Sequence, residues 1–235
     1  MIISVCIPCH IDHIPELKRT IIDLVKQTRK PDEIIVFIKP LPRQETDKIR
    51  DEITTVFNEY NKNDENTRLD LLFDDQTSSM GFAKSRCIEF ATGELVMTMD
   101  CDDRVHRQKI EIIERLFEEN ENYDVLVHNY INNNIESLSR AIDLFSLIIK
   151  KCKNHPRGCG LDPEGGGNVH HAHASFRRKT TLDKDEIYFE EGNKNFGADD
   201  SIILSKLVDM GCGVYFIDYP LIIFDRKLSK WKAKK

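Results

Sequence analysis

No stretch of this 235-residue sequence is apolar for long enough to cross a membrane as a helix. No signal peptide is visible either, because the apolar first residues lack a basic start and soon reach Pro8 and His10. Internal repeats and low-complexity segments are also absent, which argues against a solenoid or fibrous protein. We therefore expect a cytoplasmic globular protein, with one domain over residues 1–225.

The sequence also lacks an excess of positive charge. Its net charge is −6, so bulk electrostatics argue against nucleic acid as a partner. The exception is the C-terminal segment 226–235, which is basic and carries the single Trp. Peripheral contact with an anionic membrane and a solvated tail are both compatible with it. The seven cysteines are odd in number and lie mostly in apolar runs, which suits reduced thiols.

Hydrophobic patterning divides the first half of the chain into alternating strands and helices. Strands are predicted at residues 2–8, 33–38, 68–73, 95–99 and 125–130. Helices are predicted from Pro15 onward and at 44–60, 81–91 and 110–117, the third closing at Thr92-Gly93 as a C-cap. Such alternation predicts an α/β fold with a mixed, mostly parallel sheet flanked by helices.

The second half of the chain is less regular. We predict a helix over residues 136–152, a long loop over 153–171 and a strand in HAHASFRR (171–178). A helix is predicted over 198–210, followed by two short strands at GVYFI and LIIF.

Three carboxylates, Asp100, Asp102 and Asp103, follow the fourth predicted strand. Side chains two residues apart in an extended segment point the same way, so Asp100 and Asp102 would converge. An all-oxygen site of this kind suits Mg²⁺ or Mn²⁺ and leaves open positions for phosphate oxygens. The alternative is an acidic turn in which Asp103 caps the next helix. The three carboxylates by themselves favour neither the metal site nor the acidic turn.

From Met80 the chain reads MGFAKSRCIEFATGELVMTMDCDD, which resembles the central signature of family-2-type nucleotide-sugar glycosyltransferases with the GT-A (Rossmann-like) fold. The opening of the chain, through Gln27-Thr28, Pro31 and EIIV (33–36), is similar to the family's first strand, helix and second strand. NFGADDSIILSKLVDMG (195–211) is similar to the acidic segment that carries the family's catalytic base. Three motifs in this order are more specific than any one of them. The matching residues of the central signature are Gly81, Lys84, Arg86, Ala91, Gly93, Glu94, Asp100, Asp102 and Asp103.

The resemblance implies inverting transfer of a hexosyl or N-acetylhexosaminyl group from a nucleoside diphosphate sugar, with a UDP-sugar expected, to a carbohydrate, lipid or protein hydroxyl. It implies a donor-binding half over residues 1–130 and an acceptor-binding half over 131–225. Asp100 and Asp102 would hold Mn²⁺ or Mg²⁺ as a D-x-D motif, and His173 and Asp103 would lie near the acceptor. The residues expected at the nucleotide sugar are Pro8, His10, Asp74, Asp75, Gly81, Lys84, Arg86, Asp100 and Cys101.

The resemblance also implies a general base, for which Asp200 is the first candidate and Asp199 the second. The base must lie within hydrogen-bond reach of the acceptor hydroxyl. Without the upstream motifs, capping of the helix beside Gly197 would explain this pair better. The alternative function is a catalytically silent relative that binds nucleotide sugars or serves as a scaffold.

The sequence departs from the family's pattern at two places. Many members have an acidic D-D-G-S after the second strand, where this chain has FIKPLP (37–42). Asp74 or Asp75 would then contact the nucleobase, or the nucleotide preference differs. No His follows His173, so Asp225 or water would have to complete the metal site.

Two cysteine patterns give weaker signals. CIPC (6–9) has redox spacing, but Cys6 lies in a predicted strand and not at a helix N-terminus, so we do not expect redox function. A zinc site that pins the loop 153–171 is the second signal, but its spacing fits no standard finger and we expect incidental residues. Its members would come from Cys152, His155, Cys159, His170, His171 and His173.

Overall fold

The structure is a computed structural model that describes residues 1–62, 66–75, 79–132, 141–156, 160–167, 169–183 and 199–224, except the side chains of Leu144 and Asp199. Its helices are α1 (Ile14–Val25), α2 (Thr46–Tyr60), α3 (Met80–Phe90), α4 (Lys109–Glu119) and α5 (Asp199–Asp209). Its strands are β1 (Ile3–His10), β2 (Glu33–Lys39), β3 (Arg68–Phe73), β4 (Leu95–Thr98), β5 (Arg104–Val105), β6 (Val125–Asn132), β7 (Ile149–Asn154), β8 (Leu161–Pro163), β9 (Ser175–Arg177) and β10 (Val214–Phe224).

The strands form one sheet in the order β3-β2-β1-β4-β9-β6-β10-β7-β8, and β5 pairs with β10. Strands β3, β2, β1 and β4 are parallel to one another, and so are β6 and β10. Strand β9 runs antiparallel between β4 and β6 through short pairings. The predicted mixed, mostly parallel sheet is therefore confirmed. The carboxyl ends of β1 to β4 meet at one edge, where ligands bind in open α/β sheets.

The central strand β1 is buried on both faces because helices cover both sides of the sheet. Val5 and Ile7 belong to the hydrophobic cluster that includes apolar residues of α1 and α4. Cys6 points the other way and packs with Ala83 and Cys87 of α3. A continuous apolar run without polar alternation is what such a strand requires, and this explains why the sequence identified it.

Gly93 marks the closest approach between the connection after α3 and strand β1. A Cβ at this position would lie 2.5 Å from Ser4 Oγ and 2.9 Å from the carbonyl oxygen of Ile2. The Gly93 N–H donates to Ser4 Oγ at 2.8 Å. The prediction of a C-cap at Thr92-Gly93 was wrong, because α3 ends at Phe90 and its C-cap is Ala91. Glycine is required here by close packing.

The second half corrects several predictions. Residues 149–154 form β7, which is antiparallel to β10, so the predicted helix over 136–152 was wrong at its end; residues 133–140 lie outside the described part. The predicted loop 153–171 contains β8, which pairs with β7 in a hairpin. Pairing with distant strands overrides local propensity in these segments.

The predicted strands GVYFI and LIIF are one strand, β10. Its register against β6 shifts on both sides of Pro220, where the ladder of hydrogen bonds is interrupted. Proline lacks the N–H that a regular ladder requires, and such an irregularity accommodates it. The predicted helix over 198–210 is confirmed as α5.

The described cysteines are buried, as their positions in apolar runs predict. Cys6 and Cys9 both lie in β1, and the six described cysteines are buried and form no disulfide bond. Cys6 and Cys9 belong to different hydrophobic clusters, as expected for side chains on opposite faces of a strand. No helix within the described ranges is long and apolar enough to cross a membrane.

Candidate active site

The acidic loop, which we define as residues 100–103, follows β4 at the carboxyl edge of the sheet, and helix α1 fixes its backbone. The hydroxyl of Thr20 lies 2.8 Å from the carbonyl oxygen of Cys101 and 3.1 Å from that of Asp103. Two turns later, the Gln27 side chain donates to the His106 carbonyl at 2.9 Å and accepts from the Ile110 N–H at 3.2 Å. Thr20 of α1 and Gln27, just after the end of α1, therefore hold the chain on both sides of the loop's exit.

The three carboxylates of the acidic loop have different surroundings. Asp103 is 2% exposed, and its Oδ2 lies 2.9 Å from Nε2 of His173. Asp100 is partly exposed. Burial and the nearby charge of Asp100 raise the pKa of Asp102. Cys101 and Asp102 lie in a turn and not in an extended segment, so the convergence of Asp100 and Asp102 stays a prediction, while Asp103 turns into the protein.

Lys84 connects the acidic loop to the start of α5. Its side chain is 4% exposed, and its Nζ lies 2.5 Å from Asp200 Oδ1 and 3.8 Å from Asp100 Oδ1. Two acids a hundred residues apart in sequence thus share one ammonium group. Arg86, the other predicted basic contact, forms an ion pair with Glu89 and lies over the Phe90 ring on the solvent side of α3.

The start of α3 borders the same edge of the sheet. Ser79 caps the helix, and its Oγ accepts the Phe82 N–H at 3.0 Å. Gly81 is buried in the first turn. Lys39, which stands where the family resemblance predicts an acid, is buried and donates to the Ser79 carbonyl. It therefore supports the start of α3 from the end of β2.

The remaining residues predicted at the donor have mixed placements. Pro8 is buried within β1 and Cys101 is buried in the core, whereas the His10 ring is half exposed and accepts the Asp12 N–H at 3.2 Å. Asp75 pairs with Arg43 on the surface at 3.0 Å. Asp74 follows β3 at the same edge, and its carbonyl accepts the Leu41 N–H at 2.8 Å. Asp199 opens α5, and its side chain lies outside the described part.

The sequence did not identify His13 and Glu16 as neighbours of the acidic loop. After burial and the charge of Asp100, His13 lowers and Glu16 raises the pKa of Asp102, so both act electrostatically on that carboxylate. Within the described residues, His13 Nδ1 and Glu16 Oε2 are buried without a hydrogen-bond partner. Their position directly after β1, at the ligand edge of the sheet, was the available signal.

Asp103 belongs to a buried group that we call the His cluster: Asp103, Lys109, His128, His170 and His173. Lys109 Nζ lies 3.0 Å from His173 Nδ1, and His170 Nε2 lies 3.7 Å from Asp103 Oδ2. The His128 ring meets the His173 ring edge-on, with centroids 5.9 Å apart.

Burial governs the charge of the His cluster. It lowers the pKa of Lys109 to about 7 and that of His170 to about 3, and it lowers the pKa values of His128 and His173 well below the ordinary range. The imidazoles are therefore neutral at pH 7. His173 and Asp103 are both buried and face each other, so their placement argues against the predicted direct contact with an acceptor.

The Cys and His residues that we expected to be incidental do not converge as one set. His171 Nε2 accepts the Leu161 N–H at 3.1 Å and so holds the β7–β8 hairpin. Cys152 packs in the hydrophobic cluster of β6 and β10. Cys159 lies outside the described residues. His170 and His173 instead meet Asp103 in the His cluster.

Comparisons with known proteins agree with this geometry. The sequence profile of glycosyl transferase family 2 matches residues 4–181. No curated protein sequence matches the chain. Among solved structures, S. aureus TarS 1–349 in complex with UDP has a TM-score of 0.62 at 16% identity, over 96% of this chain and 60% of that one.

Two further solved structures have the same fold. TarS 1–349 in complex with UDP-GlcNAc has a TM-score of 0.62 at 16% identity, over 96% of this chain and 59% of that one. The mannosyltransferase PcManGT from Pyrobaculum calidifontis, in complex with GDP-Man and Mn²⁺, has a TM-score of 0.62 at 16% identity, over 97% of this chain and 57% of that one. This chain thus spans less than two thirds of the length of these structures. The profile match runs from β1 through β9 and includes the acidic loop, so the chain belongs to glycosyl transferase family 2, with the GT-A fold.

Proposed function

We propose that this protein transfers a sugar from a nucleoside diphosphate sugar to an acceptor hydroxyl, with inversion at the anomeric carbon. The observation that carries the proposal is the position of Lys84 between Asp100 and Asp200. It brings together the acid expected at the donor and the acid expected at the acceptor. Family membership and the solved neighbours, which bind UDP, UDP-GlcNAc and GDP-Man, support the donor class.

Asp100 and Asp102 are the residues proposed to hold Mn²⁺ or Mg²⁺. They fit such an ion, because burial and the charge of Asp100 raise the pKa of Asp102 and so disfavour its bare carboxylate. Carboxylate oxygens are also the ligands that these ions prefer. When bound, the ion neutralises charge on the departing diphosphate. Lys84 would add its ammonium group to the same phosphates.

Asp200 is proposed as the general base. It would accept the proton of the acceptor hydroxyl as that oxygen attacks the anomeric carbon and the C–O bond to the diphosphate breaks on the opposite side. In the absence of donor, Lys84 occupies Asp200 Oδ1 at 2.5 Å. A bound diphosphate would compete for this ammonium group and leave the carboxylate oxygen available to the acceptor.

The proposed base is tested by measuring nucleoside diphosphate release from a panel of UDP- and GDP-linked hexoses and N-acetylhexosamines with Mn²⁺. We expect Asp200→Asn to lower kcat by roughly 10²–10⁴-fold, with the donor KM changed only a few-fold. Asp199→Asn is the matched control and should keep most of the activity. The opposite ranking would identify Asp199 as the base, and two active variants would remove the base from this segment.

The same panel separates the enzyme from the silent alternative. A donor that binds but is not turned over with any acceptor would favour a binding or scaffold protein. Lys39, buried where an acid is expected, is the feature that favours this alternative. The basic segment 226–235 lies outside the described residues, and its contact with membranes stays a prediction.

A further inference from the structure

The His cluster contains ligand atoms for which the proposed sugar transfer has no use. One ligand atom from each of Asp103, His170 and His173 lies within 4.8 Å of the others. The carboxylate oxygen is 2.9 Å from one imidazole nitrogen and 3.7 Å from the other. Neighbouring ligand atoms of a tetrahedral site with bonds of about 2.0–2.1 Å are about 3.3 Å apart. The observed distances lie on either side of that value.

Hydrogen bonding leaves this cluster incompletely satisfied. In the described part of the chain, His170 Nδ1 and His128 Nε2 are buried without a hydrogen-bond partner. His173 Nε2 lies 2.9 Å from Asp103 Oδ2 and 3.2 Å from the Asp100 N–H. A neutral imidazole nitrogen cannot donate to the first and accept from the second. Buried polar atoms without partners are rare enough to require an explanation.

We propose that Asp103, His170 and His173 bind a divalent cation of the zinc class, separate from the magnesium or manganese site at Asp100 and Asp102. Two imidazoles and one carboxylate form a ligand set that Zn²⁺ prefers, whereas Mg²⁺ prefers oxygen ligands. A cation between Nε2 and Oδ2 would take the place of a shared proton and would use the lone pair of Nε2 that the Asp100 N–H faces at 3.2 Å. The inference does not depend on the proposed transferase activity.

The cation would have a structural consequence. His170 and His173 precede β9, and Asp103 closes the acidic loop after β4. The ion would join these two segments directly behind Asp100. Lys109 Nζ lies 3.0 Å from Nδ1 of His173, and only the neutral amine could accept the N–H that a metal-bound imidazole carries there.

The test is a metal titration of the full chain after treatment with a chelator. One equivalent of Co²⁺ should give the visible ligand-field bands of low-coordinate cobalt, whereas Co²⁺ on the oxygen ligands of Asp100 and Asp102 should give only weak bands, and Zn²⁺ should displace the first. We expect His170→Ala and His173→Gln to weaken binding at least ~100-fold, more than the loss of an outer partner causes. Asp102→Asn and the exposed His155→Ala are the matched controls and should keep the bands.

Three results would overturn the proposal. They are the absence of cobalt bands in the wild-type protein, bands that survive in both histidine variants, and bands lost equally in Asp102→Asn. The last result would assign the ion to the site at Asp100 and Asp102. His173→Gln nearly preserves volume at a fully buried position, and its circular dichroism in chelator checks that it folds. If it does not fold, His170→Ala decides the question by itself, because His170 is less deeply buried.

Discussion

At the scale of single residues, the acidic loop divides neighbouring carboxylates between two tasks. Asp100 and Asp102 stand at the ligand edge, where burial and the charge of Asp100 raise the pKa of Asp102. Asp103 faces the interior and contacts His173. The motif identified the acids, but it could not reveal this division, because the partners of Asp103 come from sequence positions up to seventy residues away.

Removal of the Asp102 charge should stabilise the metal-free protein at neutral pH. The pKa of Asp102 is raised above its unfolded value, so the folded state binds more protons in the window between the two values. Stability therefore falls as the pH rises through this window. Asp102→Asn should therefore raise the Tm in chelator by a few degrees, since each kcal/mol of stability shifts the Tm by about 2–4 °C at this chain length. This gain should vanish below the pKa of an unfolded Asp, which is about 3.9.

The measurement is thermal unfolding of both proteins across pH, with the exposed Asp47→Asn as control. Addition of Mn²⁺ should stabilise the wild type and leave Asp102→Asn unchanged, because a ligand that binds the folded state raises its stability. If Asp102→Asn is less stable than the wild type in chelator at pH 7, the carboxylate makes a favourable contact that this account lacks.

At the scale of elements, α1 supports the acidic loop through hydrogen bonds. We expect Thr20→Val, which keeps the shape of the side chain, to destabilise the protein by about 1–3 kcal/mol, because two buried carbonyls lose their hydroxyl neighbour. It should also weaken Mn²⁺ binding. Urea unfolding and a Mn²⁺ titration measure the two effects, with exposed Thr55→Val on α2 as control. Equal stabilities of the two variants would contradict the supporting role.

Close packing of Gly93, just before β4, against Ser4 and Ile2 gives a second prediction at this scale. Gly93→Ala should destabilise the protein by about 1–3 kcal/mol, because its Cβ would collide with Ser4 and with the Ile2 backbone. Urea unfolding measures the change. An unchanged urea midpoint would show that β1 moves aside with little loss of stability. The family motif contains this glycine, but only the structure gives its packing reason.

Elements of the first half were predictable because β1, β2 and β4 are continuous apolar runs covered by helices on both faces. Elements of the second half were not, because β7 exists through its pairing with the long strand β10. The sequence motifs identified Lys84 and Asp200. No motif or spacing in the sequence identified His128, Lys109 or His13. These residues join the site only when distant segments pack together.

At the scale of the whole molecule, the parallel half of the sheet brings the loops after β1, β3 and β4 to one edge, and Lys84 of α3 links that edge to the start of α5. The proposed donor site lies on these loops and the proposed base lies on α5. The order of the strands therefore determines which distant acids meet. The central claim is that this edge binds a nucleoside diphosphate together with a divalent cation.

Isothermal titration of UDP and GDP into the full chain, with and without Mn²⁺, tests this claim most directly. We predict binding of at least one nucleotide that requires Mn²⁺ and is weakened at least ~10-fold in Asp102→Asn, while Arg86→Ala binds like the wild type. The absence of binding at about millimolar nucleotide with Mn²⁺, or equal binding by wild type and Asp102→Asn, would contradict the account.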